Sequence, residues 1–269
     1  FNFIHMEEIK KTARMTIRVS EGSLAFAIAD KYSESQIIFK PFTCRSGVSM
    51  AANLREAFKT EELLRMPVDR AQVLVDAPVL LIPIEEYRED NMEALYKHSF
   101  PGGDGNVVMS NVLPDLNAVA LFSVNRDLKL VVDDHYNDVK FICLMRPVWN
   151  YMHRRSFVGN RRKLYAHFHD NKLELFSFER NRFIFCNSFR TKSCKDAEYF
   201  ILFVWKQLAL DQQRDNLFLS GDIPEREELV DELRKYLDIV SVVKASSDFN
   251  RAPITMIKGI SWDIISLYV

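Results

Sequence analysis

The chain runs twice through one order of elements, three short strands and then a capped amphipathic helix, and that repetition constrains its fold more than any other feature. In the first pass residues 15–19 alternate in polarity, Gly22 marks a turn, and Leu24, Phe26 and Ile28 alternate again, which predicts two paired strands. A third strand is expected at 36–39. Met50, Leu54, Ala57 and Phe58 then share one helical face, with Ser46 or Ser49 placed to accept from the exposed N–H groups of the first turn. After Gly159 the order begins again, with alternation at Leu164, Ala166 and Phe168, then strands at 173–178 and 182–189. Ala197, Phe200, Ile201, Val204, Trp205 and Leu208 follow at helical spacing, with Ser193 as cap and Asp196 completing a capping box. Leu202 and Phe203 lie off that stripe and predict burial on a second side.

Leu24 aligns with Leu173 and Phe42 with Phe189 when two residues are dropped from the second half. Further apolar strings stand at 72–75, 79–82, 118–124 and 140–145, with helical patterns at 85–98 and 126–136. The second half closes with a strand at 216–219, a turn at 220–222, a helix after Pro224 and a strand at 239–243. Short apolar strings separated by helices predict sheets covered on both faces, with crossover helices joining parallel strands. Residues 101–105 hold three of the eight glycines and read as an exposed, mobile loop. At 269 residues the chain is long enough for two lobes, drawn at 1–158 and 159–269.

Apolar residues make up 48% and charged residues 27%, a balance that supports a packed core and excludes wholesale disorder. The 36 basic and 37 acidic side chains leave a net charge of -1, so no global field draws the protein to nucleic acid or an anionic membrane. The four cysteines, Cys44, Cys143, Cys186 and Cys194, form no CxxC pair and read as reduced thiols. No apolar run reaches the roughly 18 residues of a membrane span, and residues 1–11 lack a secretory pattern. A cytoplasmic location is expected.

Two β-β-β-α-β-α halves describe the superfamily of actin, the sugar kinases and Hsp70, in which a nucleotide lies between lobes. The strings VSEGSLAFAIAD, VDAPVLLIPIEEY, LYAHFHDNKLELFSFERNRFIFCNSF, DAEYFILFVWKQL and LFLSGDIPEREELVDELRKYL look more closely like an uncharacterised bacterial family, found in Bacteroides-like organisms, with an actin-like ATPase fold. That resemblance covers most of the chain. It implies an α/β, two-lobed actin-like ATPase fold, an RNase H-like unit duplicated, with mixed sheets flanked by helices; it implies no activity.

An active member of the superfamily needs a carboxylate and a glycine-rich turn between its first two strands, so that backbone N–H groups reach phosphate and the acid positions Mg²⁺. Here residues 20–23 put Ser20 about where the aspartate is expected, followed by Glu21, Gly22 and Ser23. The corresponding second turn offers Asp170 and Asn171 without a glycine, which obstructs close approach to a phosphate. The adenosine-facing pair of glycines is reduced to Gly221, and Asp222 reads as a helix cap. The alternative explanation is that each turn merely closes a hairpin or starts a helix.

Arg146, Arg154, Arg155, Arg161, Arg162 and Lys163 form a basic run interleaved with Trp149, Tyr151 and Phe157, as a phosphate or nucleic-acid site requires. A solvated helix face and linker accounts for the run equally well, and the neutral overall charge argues against nucleic acid. His167 and His169 face one way on a strand and with Asp170 form a partial metal-ligand set, yet no fourth ligand stands at a recognisable spacing, so no metal is assigned. No GxSxG elbow or Cys–His signature is present, and residues 16–20 lack the carboxylates of a nuclease, so no catalytic residue is assigned.

These features predict a non-catalytic binding or scaffold protein with a protein partner, no membrane insertion and no cofactor. The alternative is an ATP-binding protein or weak ATPase, in which Ser20, Gly22, Ser23, Asn171 and Gly221 face the nucleotide and Glu21 or Asp170 reaches the metal.

Overall fold

A computed structural model describes residues 13–30, 32–103 and 105–269. The segment 1–11 read for a leader and Asp104 of the glycine-rich loop lie outside them. The chain forms two compact units. The first holds residues up to Pro114, Ala118–Pro147 and Ala252–Val269; the second holds Asp115–Asn117 and Val148–Arg251. The chain passes from the first unit to the second near Pro147, and its last stretch belongs to the first unit.

In the first unit β1 (Met15–Ser20), β2 (Ser23–Ala29), β3 (Ile37–Thr43), β4 (Arg70–Val75) and β8 (Asp138–Cys143) form one sheet in the order β3-β2-β1-β4-β8. The first three strands are antiparallel, and β1, β4 and β8 run parallel. Helix α1 (Met50–Thr60) follows β3, and its cap is Ser49, whose side chain accepts from the Ala52 N–H. The strings at 79–82 and 118–124 do not join this sheet. β5 (Leu80–Pro83) and β7 (Ala118–Asn125) pair antiparallel, with Leu80 opposite Leu121, and β6 (Asn106–Leu113) pairs along the other side of β7. The short link from β6 to β7 forces an antiparallel return, so this insert is a separate sheet, packed against Tyr96 of α2 (Met92–Ser99). Helix α3 (Arg126–Asp133) lies beside α1.

The second unit repeats the first sheet. β9 (Lys163–His169), β10 (Lys172–Glu179), β11 (Arg182–Arg190), β12 (Asn216–Gly221) and β13 (Val240–Val242) are ordered β11-β10-β9-β12-β13, with the same antiparallel and parallel senses. The residues that aligned the halves are structural equivalents: Leu24 pairs with Phe42 and Leu173 with Phe189. Leu164, Ala166, Leu173, Leu175, Leu217 and Leu219 present one apolar face to α5 (Cys194–Gln207) and α6 (Arg226–Arg234). Ser193 caps α5 by accepting from the Asp196 N–H, while Asp196 accepts from the N–H of Lys192, one residue ahead of the reciprocal bond of a capping box. Of the two residues off the apolar stripe of this helix, Leu202 is partly buried against the same core whereas Phe203 is 46% exposed, so the second side of α5 is covered only in part.

The opposite faces of the two sheets are closed by helices that arrive from elsewhere in the chain. Across β10, β9 and β12 the rings of Phe176, Tyr165 and Phe218 stack. α4 (Arg146–Ser156) covers this side, with Trp149 edge-on to Phe183 and His153 against Phe178. On β1 the alternate residues Thr16, Arg18 and Ser20 are buried beneath α8 (Trp262–Tyr268), which follows the single-turn α7 (Ala245–Asp248). The helix after β8 therefore serves the second unit, and the helix near the end of the chain serves the first.

Candidate functional site

β1 and β2 end in a two-residue turn, with Ser20 paired to Ser23. Gly22 adopts φ +88, which a residue without a Cβ tolerates best, and a Cβ there would meet nothing within 4 Å. The two serine hydroxyls lie 2.6 Å apart, and Arg18 reaches both from within, at 3.2 Å to Ser20 and 3.4 Å to Ser23. Arg18 is held by Asp263, to whose carboxylate its Nε donates at 3.0 and 2.9 Å, and Ser261 donates to the same carboxylate at 2.7 Å. A guanidinium paired with a carboxylate therefore lies under the turn, and its hydrogen bonds occupy both serine hydroxyls.

The equivalent turn in the second unit joins β9 to β10, with His169 paired to Lys172. Asp170 and Asn171 both take left-handed backbone, φ 46 and 59, and short polar side chains are the non-glycine residues that tolerate it. His169 corresponds to Ser20 in register and is buried. Its Nδ1 lies 3.2 Å from Asp170 and its Nε2 3.4 Å from Glu174, which accepts from Ser188 at 2.7 Å. His167 turns its Nδ1 to the Ser220 hydroxyl at 2.9 Å.

Gly221 ends β12 beside Phe168, with φ +84. A Cβ on it would fall 2.0 Å from the Phe168 carbonyl oxygen, so close backbone packing by itself requires glycine here. The next residue, Asp222, donates its N–H to that oxygen at 2.9 Å; in the first unit Asp76 donates to the Val19 carbonyl at the same distance. Each unit thus places an aspartate beside its hairpin at the carboxyl end of its parallel strands, where open α/β sheets bind ligands. Asp222 is not the helix cap expected: α6 starts at Arg226 behind a left-handed Glu225, because the turn after Gly221 delays the helix. A depression of about 420 Å³ there is lined by Gly221, Ile223, Glu225, Arg226, Glu227 and Glu228. Three carboxylates against one guanidinium disfavour a polyphosphate. Glu225 accepts from the Cys194 N–H at 3.1 Å, and burial, then the Glu228 and Glu225 carboxylates, push the Cys194 thiol up.

Of the residues singled out from sequence, Asp170, Asn171 and Gly221 gather at one end of the second unit's sheet, and Ser20, Glu21, Gly22 and Ser23 form the first unit's turn. Arg18 and Asp76 were missed. Asp76 had a signal, since it follows an apolar string as Asp222 does; Arg18 had only its place two residues before Ser20 on a strand.

The basic run is largely structural. Arg155 pairs with Asp248, which also accepts from Tyr151 at 2.5 Å. Arg162 bonds Asp215 at 2.9 Å and the Ala209 carbonyl at 2.7 Å, beyond the end of α5. Lys163 donates to the Ser156 carbonyl at 2.7 Å, closing α4, and burial lowers its pKa.

Two five-stranded sheets of identical order and sense, each with a hairpin and an aspartate at its carboxyl end, define an actin-like ATPase fold. The chain belongs to the family described as protein of unknown function (DUF3822), which matches residues 6–240. It is similar, at 25% identity and a TM-score of 0.81, to the crystal structure of a Bacteroides thetaiotaomicron protein with actin-like ATPase fold and unknown function, over 94% of this chain and 99% of that one. A PilM–PilN type IV pilus biogenesis complex is similar at 10% identity and a TM-score of 0.56, covering 87% and 89% of the two chains. No curated protein matches the chain. Among the described residues no helix is long and apolar enough to cross a membrane.

Proposed function

We propose that this chain is a non-catalytic binding or scaffold protein whose actin-like fold carries degenerate nucleotide motifs. The observation that carries this reading is Arg18, a buried cation under the first turn that bonds both hydroxyls the turn would offer to phosphate. The glutamate-lined depression beside Gly221 and the glycine-free turn at Asp170 and Asn171 support it. The partner is a protein, a reading supported by the same fold occurring within the PilM–PilN complex. The free state of Cys44, Cys143, Cys186 and Cys194 supports a cytoplasmic working place. The matching sheet orders support duplication of one ancestral unit, with the halves drawn at 1–158 and 159–269.

A second reading, ATP binding with weak or no turnover, is favoured by Asp76 and Asp222, which stand beside the two hairpins. Titration with Mg-ATP during thermal unfolding separates the readings. Nucleotide at 100 times its dissociation constant stabilises a fold by about 2.7 kcal/mol, so an unchanged melting curve at millimolar nucleotide supports the scaffold reading. A saturable rise, or phosphate release, overturns it.

A further inference from the structure

The basic run leaves charge that no ion pair among the described residues absorbs, although Arg154 donates from Nε to the Asn150 carbonyl at 3.3 Å. Arg154 and Arg161 are exposed and have no ion pair among the described residues, and the same holds for Arg180 in the turn between β10 and β11. Arg154 stands one helical turn before Phe157, whose ring is 60% exposed, and Val158 beside it is 75% exposed. Phe157 and the hairpin residues Glu179, Arg180, Asn181 and Arg182 line a groove of about 790 Å³. Its walls are fixed. His153 on α4 donates from Nε2 to the Arg180 carbonyl at 2.8 Å and holds the Phe157 ring edge-on at 4.9 Å. Arg180 adopts φ 53, a conformation costly for a long side chain.

From this geometry we infer that the groove between the end of α4 and the β10–β11 turn docks an acidic peptide segment of a partner protein, anchored by one large apolar side chain on Phe157. The inference rests on the binding-protein reading and assigns it a surface. Charge complementarity selects the occupant: Arg180 and Arg182 stand in the groove wall and the exposed Arg154 one helical turn before Phe157, a basic excess over Glu179 that attracts carboxylates, while Phe157 offers the apolar contact that makes an anchor. Glu179 and Asn181 distinguish a peptide from a polyphosphate. Their oxygens accept from peptide N–H groups, donors that a phosphodiester backbone lacks.

The test is selection of a random peptide library displayed on phage against the full chain, followed by solution binding of the enriched peptides to the parent, Arg180→Glu and Phe157→Ser. The expected result is a consensus pairing Asp or Glu with an aromatic or Leu, bound at least ~10-fold more weakly by either variant. Both sites are exposed, and unchanged melting temperatures verify their folding; Arg154→Glu provides a further variant should one fail. The proposal is overturned if no such consensus emerges, if the variants bind it as the parent does, or if a single-stranded oligonucleotide or phosphatidylglycerol vesicles bind the patch in its place. Peptides that bind undiminished to the variants would leave the adaptor reading standing while removing this surface from it. ATP turnover would remove that reading without touching the peptide result.

Discussion

Arg18 on β1 and Asp263 on α8 meet across 245 residues of sequence, one guanidinium nitrogen donating to both carboxylate oxygens. Their side chains are 7% and 1% exposed, so neither charge is stable there alone. Arg18→Met or Asp263→Leu should each lower the unfolding free energy by about 3–5 kcal/mol, and the double replacement should restore much of the loss. A double-mutant cycle in urea measures the coupling; strictly additive losses would show that the pair does not act as one.

Gly221 and Gly22 make opposite predictions although both have positive φ. Gly221→Ala drives a methyl into the Phe168 carbonyl and should destabilise by about 2–4 kcal/mol. Gly22→Ala meets open space and should lose only the left-handed penalty of about 1 kcal/mol. Chemical denaturation of both variants decides it, and equal losses would contradict the close approach at Gly221.

Alkaline pH should weaken the first unit through Tyr268. Burial pushes this phenol from 10.0 up to about 12, against a smaller opposing effect of its bond to Thr16. The folded form then holds a proton that the unfolded chain releases, so the stabilisation is complete below pH 10 and is lost as pH rises towards about 12. Phenolate absorbance followed alongside unfolding should show Tyr268→Phe with a shallower decline; an identical decline would assign the effect to other tyrosines.

Much of this architecture was legible because its signals are local. The alignment of Leu24 with Leu173 and Phe42 with Phe189 found true cross-strand partners, since hairpin register is set within a few residues. The stripe from Ala197 to Leu208 and its Ser193 cap likewise needed no distant information. What escaped depends on remote partners. α8 is short and makes sense only against Thr16, Arg18 and Ser20, and the basic residues near α4 are neutralised by Asp215 and Asp248, far along the chain. At the candidate site the turns were visible as turns, but the direction of the Ser20 and Ser23 hydroxyls was set by an arginine whose own position was set by α8.

β6 escaped for a related reason, and one side chain fastens it. Asn111 donates to the Phe141 carbonyl at 3.0 Å and accepts from the Cys143 N–H at 2.8 Å, joining the insert to the outer edge of β8. Asn111→Ala leaves two backbone groups without those partners and should destabilise by about 1–3 kcal/mol. Faster amide hydrogen exchange should appear first at Cys143 and in β6; unchanged protection there would mean that the insert is held by its apolar contacts.

Because α8 completes the sheet that begins with β1, synthesis on the ribosome presents the first unit in an awkward order. Its opening hairpin emerges 245 residues before the aspartate that neutralises Arg18. The nascent first unit must wait, its polar face uncovered, while the whole second unit is translated, whereas α4 is available to the second unit before β9 is made. The later-born half is the one able to mature first.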